Sequence, residues 1–332
     1  MSDSDRNEQI IRSRMHGLYL SRKCGDIVTL SRELLGLHSW FYRNVPFSAL
    51  IRGADITAWK TKLTKTWLYR GTLHGAAFED LPDLLALHSG ESYLDRHFGE
   101  ELVEQFANEV LRYMEDGVFS RSEFRKIFAP DYDAEVIEAM FSPWGGVFVN
   151  LARRGLVAFR DMTSRDFDLI SAEPTRTPES VLPELFRRYL AAYGPATLAD
   201  AAWFFGFWKD DAKKLNALPL DEYERFELNG KIYYYIDGKT DIPDVPELTL
   251  LSGFDPLIVS YTSDNRLSLP QEYKSKVILK SGICLPTIAV NGYVAGVWNI
   301  RKNEPVAELF AKQPKRIETA ALEMVDSIRR RV

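Results

Sequence analysis

The strongest constraint on this fold lies between residues 182 and 206, where cap and break residues mark two helices in succession. Leu182 to Tyr193 has the apolar spacing of an amphipathic helix, and the Gly-Pro pair after it ends that helix. Thr197 is a suitable N-cap and predicts a second helix over Leu198 to Phe205. Gly206 then breaks the chain before a further predicted helix that carries three lysines.

A two-stranded hairpin follows these helices in the sequence. The segment YERFELNGKIYYYIDG alternates apolar and polar residues around Asn229-Gly230, the kind of pair that most strongly favours a two-residue turn. Helices joined by a tight turn and followed by such a hairpin form a winged helix, in which the second helix of the turn usually enters the DNA major groove. The segment therefore predicts a winged-helix unit.

A similar order of elements occurs twice more in the chain. The middle copy consists of a helix over Phe98 to Tyr113, a cap at Ser120 or Ser122, helical segments within Ala134 to Arg154, and a hairpin in LVAFRDMTSRDFDLI. The first copy consists of helices over Ile10 to Tyr19 and Ile27 to Leu35, one further helix, and TWLYRGTLHG as a strand.

From Pro246 onward the pattern changes to short apolar runs, a second Asn-Gly turn at Asn291-Gly292, and a last helix over Pro314 to Arg330. This pattern predicts a small α+β domain. The predicted fold class is therefore α+β, with winged-helix units over residues 1–92, 93–175 and 176–245 and a C-terminal α+β domain over residues 246–332.

Net charge alone does not indicate a nucleic-acid partner, because the 332 residues carry a formal charge of -5. Binding to phosphates needs a local group of Lys and Arg on one face. The candidate DNA-binding cations are Arg153, Arg154, Lys209, Lys213, Lys214 and Lys231. The alternative for each short group is an ordinary solvated surface.

Several classes of protein lack support in the sequence. Cys24 and Cys284 are far apart and outside any zinc-ligand spacing, so we expect two buried free thiols and no metal. No stretch approaches the roughly 20 apolar residues of a membrane span, and no nucleotide-binding or hydrolase motif occurs. We expect a cytoplasmic, nucleoid-associated protein without a cofactor.

Five segments, in order along most of the chain, resemble the AlkZ/YcaQ-type winged-helix DNA-binding proteins. They are LLGL before His38, TWLYRGTLH, RRYLAAYGPATLADAAWFFG, LLSGFDPLIVSY and NGYVAGVWN. The resemblance implies three tandem winged helices that form a concave basic surface on double-stranded, damaged DNA. It also implies a monofunctional DNA glycosylase that removes alkylated or bulky bases and unhooks interstrand crosslinks, and we expect a monomer.

In that family the catalytic element is a Gln-x-Gln or Gln-x-Asp motif directly after a Leu-rich helix. The matching catalytic positions here are His38 and Trp40, with Ser39 between them. Three interpretations follow. Trp40 and Phe41 fill a core while His38 caps a helix; the segment contacts DNA without efficient catalysis; or His38 positions or deprotonates a water in a variant glycosylase.

Further DNA contacts are predicted at Arg43 and along one side of a presumed strand. Arg43 follows Trp40 by three residues, so on a helix it shares roughly the same face and meets either a phosphate or a surface carboxylate. Arg70, Thr72 and His74 alternate along the presumed strand, where they line a DNA groove or belong to a purely structural strand.

Other prominent residues have structural interpretations. The aromatics between Trp203 and Trp208 are expected in a core, Asp200 at a helix surface or cap, and Asp255 in a turn before a proline. Two functions follow from the sequence. One is a glycosylase acting on alkylated, bulky-adduct or crosslinked DNA, and the other is a non-catalytic DNA-binding or regulatory protein on the same scaffold.

Overall fold

A computed structural model describes residues 2–87, 93–208, 211–236 and 242–332. Its α-helices, in chain order, are α1 Asp3–Gly17, α2 Ile27–Glu33, α3 Asn44–Ile51, α4 Trp59–Lys62, α5 Leu81–Ala86, α6 Tyr93–Phe98, α7 Glu100–Glu115, α8 Arg121–Phe128, α9 Ala134–Met140, α10 Gly146–Arg153, α11 Pro178–Tyr193, α12 Leu198–Phe205, α13 Pro256–Val259, α14 Lys274–Val277 and α15 Lys315–Arg329.

The strands are short, and the strand pairs described below are antiparallel. They are β1 Leu37–His38, β2 Thr64–Trp67, β3 Leu73–Ala76, β4 Val157–Phe159, β5 Phe167–Leu169, β6 Glu224–Leu228, β7 Lys231–Tyr235, β8 Leu248–Leu251, β9 Thr287–Val290, β10 Tyr293–Arg301 and β11 Glu304–Leu309. The chain is thus of mixed α and β structure.

Two compact units divide the chain. Unit 1 consists of Met1–Thr57 and Pro183–Val332, and unit 2 is the intervening segment Ala58–Leu182. Unit 1 is therefore built from two segments that are far apart in the sequence. No helix among the described residues has the length and apolar character needed to span a bilayer.

Unit 2 contains antiparallel strands in the order β3-β2-β4-β5, together with α4 to α10. Helix α7 is amphipathic and buries Val103, Phe106, Val110 and Met114, which recur at helical spacing. Its apolar face packs into a core rich in phenylalanine, which includes Phe124, Phe128, Phe141, Phe148 and Phe167. Each buried aromatic ring of this kind removes a large apolar surface from water and so contributes to the stability of the unit.

Unit 1 contains a second antiparallel sheet in the order β11-β10-β9-β8. The buried faces of α3 and α15 pack with this sheet, and their shared core includes Phe47, Leu250, Ile288, Trp298 and Val325. The four strands of this sheet and helix α15 lie within residues 246–332, for which the sequence predicts a separate α+β domain.

Hairpin β6-β7 forms a two-stranded sheet, and Tyr234 of β7 also makes an antiparallel bridge with Ala196. Asn229 and Gly230 have φ values of 52° and 70°, so both turn residues are left-handed, as a type I′ turn requires. Asn291 and Gly292, with φ of 49° and 84°, join β9 to β10 in the same way. Both predicted Asn-Gly hairpins are confirmed.

The helix caps predicted from sequence also form. Thr197 caps α12 and Ser120 caps α8, each in a capping box with an acidic residue three positions later. In the box of α12 that residue is Asp200, so its predicted role at a cap is confirmed, although its side chain is fully buried. The hydroxyl and amide of Thr262 also donate to Asp200, and the Arg14 guanidinium lies 3.9 Å away.

The structure differs from the sequence-based predictions in two places. Residues Asp211–Ala217, in the predicted lysine-bearing helix, form a 3-10 segment instead of an α-helix. The aromatic run after Trp203 is only partly core, because Phe204, Phe205 and Phe207 are buried whereas Trp208 is 62% exposed. Cys24 and Cys284 are buried free thiols, as expected.

Candidate active site and nucleic-acid interface

The segment that carries His38 and Trp40 lies between α2 and α3 in unit 1. Helix α2 ends at a tight turn in which Leu35 and Gly36 have φ values of 56° and 105°. This turn reverses the chain into the two-residue strand β1, which contains His38. Helix α3 then begins at Asn44. His38 therefore lies in a strand and not at the end of a helix.

The ring of His38 is half-buried, and its contacts include Phe254 and the backbone amide of Trp40. Its imidazole stacks face to face on the ring of Phe254, with centroids 4.3 Å apart and planes inclined by 3°. The backbone amide of Trp40 donates to His38 Nδ1 at 3.4 Å. An Nδ1 that accepts a hydrogen bond leaves the proton of a neutral imidazole on Nε2. In this arrangement His38 presents a hydrogen-bond donor at Nε2.

Phe254 is held by the turn that joins β8 to α13. The next residue, Asp255, is fully buried and forms a bidentate ion pair with Arg52, with Nη–Oδ distances of 3.0 and 3.1 Å. Its carboxylate also accepts the backbone amides of Ser252 and Leu257. The turn chemistry predicted for Asp255 is confirmed, and the same carboxylate caps α13.

Gly253 precedes Phe254 in a tightly packed position. A Cβ at this glycine would lie 2.8 Å from Oδ1 of Asn44, whose side chain is itself buried. The absence of a side chain thus lets the β8–α13 turn approach the first residue of α3. The Nδ2 of Asn44 and the Oγ of Ser39 are buried without a hydrogen-bond partner among the described residues. Buried polar atoms of this kind are usually satisfied by ordered water.

An aromatic and cationic surface lies directly after His38. Trp40 is half-buried, and Phe41 and Tyr42 are each 45% exposed. Arg43 is exposed, and its Nε donates to the hydroxyl of Tyr42 at 3.3 Å. The interpretation that Phe41 fills a core is wrong, because almost half of its surface is in solvent. We call residues 40–43 the aromatic tip.

The segment YRGTLH of unit 2 does not form one continuous strand. Arg70 lies in a 3-10 turn between β2 and β3 with φ of 53°, so the expected alternation with Thr72 and His74 is wrong. His74 is buried in β3, where Nδ1 lies 3.0 Å from the carbonyl oxygen of Thr72 and the ring packs edge-on against Tyr69. These contacts are those of a packed strand residue.

The predicted basic residues differ in how their charges are neutralised. Arg154 pairs with Glu104, Lys214 with Asp211, and Lys231 with Asp264. Lys213 is exposed, and Lys209 lies outside the described residues. These pairs leave fewer cations available to phosphates than the sequence suggests.

Arg153 differs from its neighbour Arg154. It is the last residue of α10 and is half-buried, and this burial lowers the pKa of its guanidinium. It makes no ion pair with an acidic side chain in the part of the chain that the structure describes. Arg43 likewise has no carboxylate partner there. Arg43 and Arg153 are therefore uncompensated cations.

Comparison with known proteins agrees with the resemblance seen in the sequence. The family described as DNA glycosylase AlkZ-like matches residues 57–330, which is most of the chain. The chain belongs to the AlkZ-like DNA glycosylase family. The matched segment begins after the aromatic tip, so His38 and Trp40 lie outside it.

A curated relative is the interstrand DNA cross-link repair glycosylase of Streptomyces sahachiroi. It is 26% identical over 275 residues, which are 75% of this chain and 73% of the relative. The solved structure of Streptomyces sahachiroi DNA glycosylase AlkZ has a TM-score of 0.80 and 23% identity, over 97% of this chain and 96% of that one. The overall fold is therefore similar to that of AlkZ.

The sequence did not reveal two features of this site. Phe254 was not among the predicted site residues, although GFDPL belongs to the segments that carry the family resemblance. The contact joins residues that are more than 200 positions apart, and neither local spacing nor composition indicates it. The exposure of Phe41 and Tyr42 was also missed, since a run of aromatic residues usually indicates a core.

Proposed function

We propose that this chain is a monofunctional DNA glycosylase that removes alkylated or bulky bases from double-stranded DNA, including crosslinked DNA. The observation that carries the proposal is the fixed imidazole of His38, which lies at the family's motif position beside an exposed aromatic tip. This combination provides a group that holds a water next to groups that contact unstacked bases.

The proposed reaction is hydrolysis of the N-glycosidic bond. Alkylation at N7 or N3 of a purine makes the base cationic, so the C1′–N bond breaks with its electron pair passing to the base. The sugar then carries an oxocarbenium-like positive charge, which water attacks at C1′, and the released proton passes to solvent. Such an electrophile needs a positioned water more than a strong base. His38 supports this step only by positioning, since Nε2–H donates to one lone pair of the water oxygen while the other lone pair attacks C1′ and the proton leaves to solvent.

The aromatic tip supplies the contact with the bases in this proposal. Trp40 cannot replace the Gln or Asp of the family motif as a hydrogen-bond acceptor, because an indole only donates. Its ring, with those of Phe41 and Tyr42, can stack on a base or occupy the space that an unstacked base leaves. Arg43 lies next in sequence and contacts a neighbouring phosphate.

Phosphate contacts in unit 2 are proposed first for Arg153, because its charge is uncompensated. Arg70, half-buried in its turn, and Lys213, exposed in unit 1, are further proposed contacts. Arg154, Lys214 and Lys231 contribute less, since each would have to exchange a carboxylate for a phosphate. We assign buried His74 to strand packing.

We propose that the chain is organised as three winged-helix units and a C-terminal α+β domain. The units cover residues 1–92, 93–175 and 176–245, and the domain covers residues 246–332. The best support comes from the third unit, in which α11 and α12 precede the hairpin β6-β7. The second unit has the corresponding order of α7 to α10 before β4 and β5.

A second candidate function is DNA binding without base excision. The observation that favours it is Trp40, which puts an apolar ring where the family motif has a polar catalytic residue. A protein of this kind would recognise the distorted duplex through the aromatic tip and leave the glycosidic bond intact.

The deciding experiment incubates the purified protein with duplex DNA that contains N7-alkylguanine and then cleaves abasic sites with alkali. We expect strand breaks with the unaltered protein, none above background with His38→Ala, and partial activity with His38→Gln, which restores the family residue. Trp40→Ala should weaken binding to the lesion. Retardation of the DNA without any breaks would instead establish the binding function.

A further inference from the structure

Phe254 has a backbone conformation that side chains rarely adopt. Its φ is 54°, in the left-handed region that disfavours bulky residues. Contacts of Phe254 itself and of the residue after it maintain this conformation. The Phe254 amide donates to the Cys284 carbonyl at 3.2 Å, and the next residue is locked into the buried pair with Arg52.

The conformation of Phe254 affects the orientation of the His38 ring. Rotation of an imidazole about its Cβ–Cγ bond is broad, so a single hydrogen bond at Nδ1 does not define the plane of the ring. The face of Phe254 lies parallel to that plane at a centroid distance of 4.3 Å. The ring of Phe254 and the Trp40 amide both contribute to the direction in which Nε2 points.

We propose that Phe254 is a positioning residue for His38 and that the Arg52–Asp255 pair holds Phe254 in place. This inference rests on the proposed glycosylase function and deepens it. Phe254 does not touch the DNA or the water in this scheme. It keeps the His38 imidazole within the narrow angular range that an oriented water requires.

The test compares excision rate with DNA binding in four single variants. Phe254→Leu and Phe254→Met both remove the aromatic ring. If one of these variants fails to fold, the other can still be measured. Phe254→Tyr keeps the face. The matched control is Phe310→Leu, because Phe310 is also a half-buried phenylalanine of unit 1 and packs on Tyr273 at 4.9 Å, outside the site. Each is measured under single-turnover conditions with N7-alkylguanine duplex.

We expect Phe254→Leu and Phe254→Met to slow excision by about tenfold to a hundredfold and to weaken duplex binding by a smaller factor. Misplacement of a catalytic group costs rate more than affinity, and Phe254 also lies 6.2 Å from the ring of Phe41 in the aromatic tip. Phe254→Tyr should restore most of the rate. Phe310→Leu should behave like the unaltered protein.

A double-mutant cycle with His38→Gln, which should keep a measurable rate of excision, separates positioning from general stability. If Phe254 acts through the imidazole of His38, then Phe254→Leu should slow excision much less in the His38→Gln background than in the unaltered protein. Equal effects in the two backgrounds, or equal losses in Phe254→Leu and Phe310→Leu, would overturn the inference and leave the glycosylase proposal intact. Absence of excision by the unaltered protein would overturn the glycosylase proposal, and the positioning role with it.

Discussion

At the scale of single residues, four of the five residues of the GFDPL segment have a physical reason for their identity. Gly253 allows close approach to Asn44, Phe254 stacks on His38, and Asp255 pairs with Arg52. Pro256 occupies the first turn of α13, where its missing amide is not needed. A segment noted in the sequence only as part of a resemblance thus supports the candidate active site.

Arg52→Met should destabilise the protein by roughly 3–5 kcal/mol, because it leaves the buried carboxylate of Asp255 without its counter-charge. The free energy of unfolding in urea measures this loss. Arg316→Met is the matched control, since it breaks an Arg–carboxylate pair with Glu247 that is exposed to solvent. Its effect should be far smaller, and equal losses in both variants would contradict the assignment.

Phe41→Ala and Tyr42→Ala should weaken binding to lesion-containing DNA by about 1–3 kcal/mol per stacked base and leave the unfolding free energy nearly unchanged. The reason is that 45% of each side chain lies in solvent, where stacking partners can reach it. Fluorescence anisotropy with labelled duplex gives the Kd. Phe78→Ala, at an exposed phenylalanine outside the tip, should bind normally, and a similar loss there would argue against the aromatic tip.

At the scale of elements, the sequence predicts helix caps and tight turns correctly. The Thr197 cap, the Ser120 cap and the Asn229-Gly230 turn each depend on a few adjacent residues, so their patterns were sufficient to predict them. The strand predicted over TWLYRGTLHG failed because Arg70 adopts a left-handed turn, which no residue type except glycine indicates strongly. The His38–Phe254 contact could not be predicted, because it depends on tertiary packing.

Ser120→Ala should destabilise unit 2 by about 0.5–2 kcal/mol, because the hydroxyl accepts the amide of Glu123 at the start of α8. Ser120→Asp, which can still cap, should retain most of the stability. Thermal unfolding followed by circular dichroism distinguishes the variants. Similar melting of Ser120→Ala and the unaltered protein would show that α8 does not limit the stability of the unit.

The same capping box makes stability depend on pH. Hydrogen bonds from the hydroxyl and amide of Ser120 lower the pKa of Glu123 below its ordinary value. A lowered carboxyl pKa stabilises the folded state above the unfolded pKa, and this contribution is lost as pH falls through the folded value. Glu123→Gln should therefore reduce the loss of stability between neutral and acidic pH, measured by urea unfolding. An unchanged pH dependence would contradict the role of this carboxylate.

At the scale of the whole molecule, the net charge of -5 requires DNA binding to rely on particular cations. Few of the predicted basic residues are uncompensated, because several are paired with carboxylates. The chain should consequently hold DNA through a small number of phosphate contacts together with stacking at the aromatic tip.

The logarithm of DNA affinity should fall with the logarithm of salt concentration with a shallow slope of roughly -2 to -4, since each phosphate contact contributes about -0.9. Arg153→Ala should make the slope shallower by about one unit. Arg154→Ala should change it less, because Arg154 is already paired with Glu104. Equal changes in the two variants would contradict the distinction between compensated and uncompensated cations.

Because unit 1 is built from two distant segments of the chain, it cannot be completed until late in translation. His38 is synthesised early, but Phe254, Asp255 and the rest of their turn emerge more than 200 residues later, roughly ten to forty seconds at ordinary rates of translation. A nascent or prematurely terminated chain therefore carries the motif position without the ring that stacks on it. On this proposal, a chain that ends before Phe254 lacks the ring that positions His38 and excises bases more slowly than a chain that contains the turn.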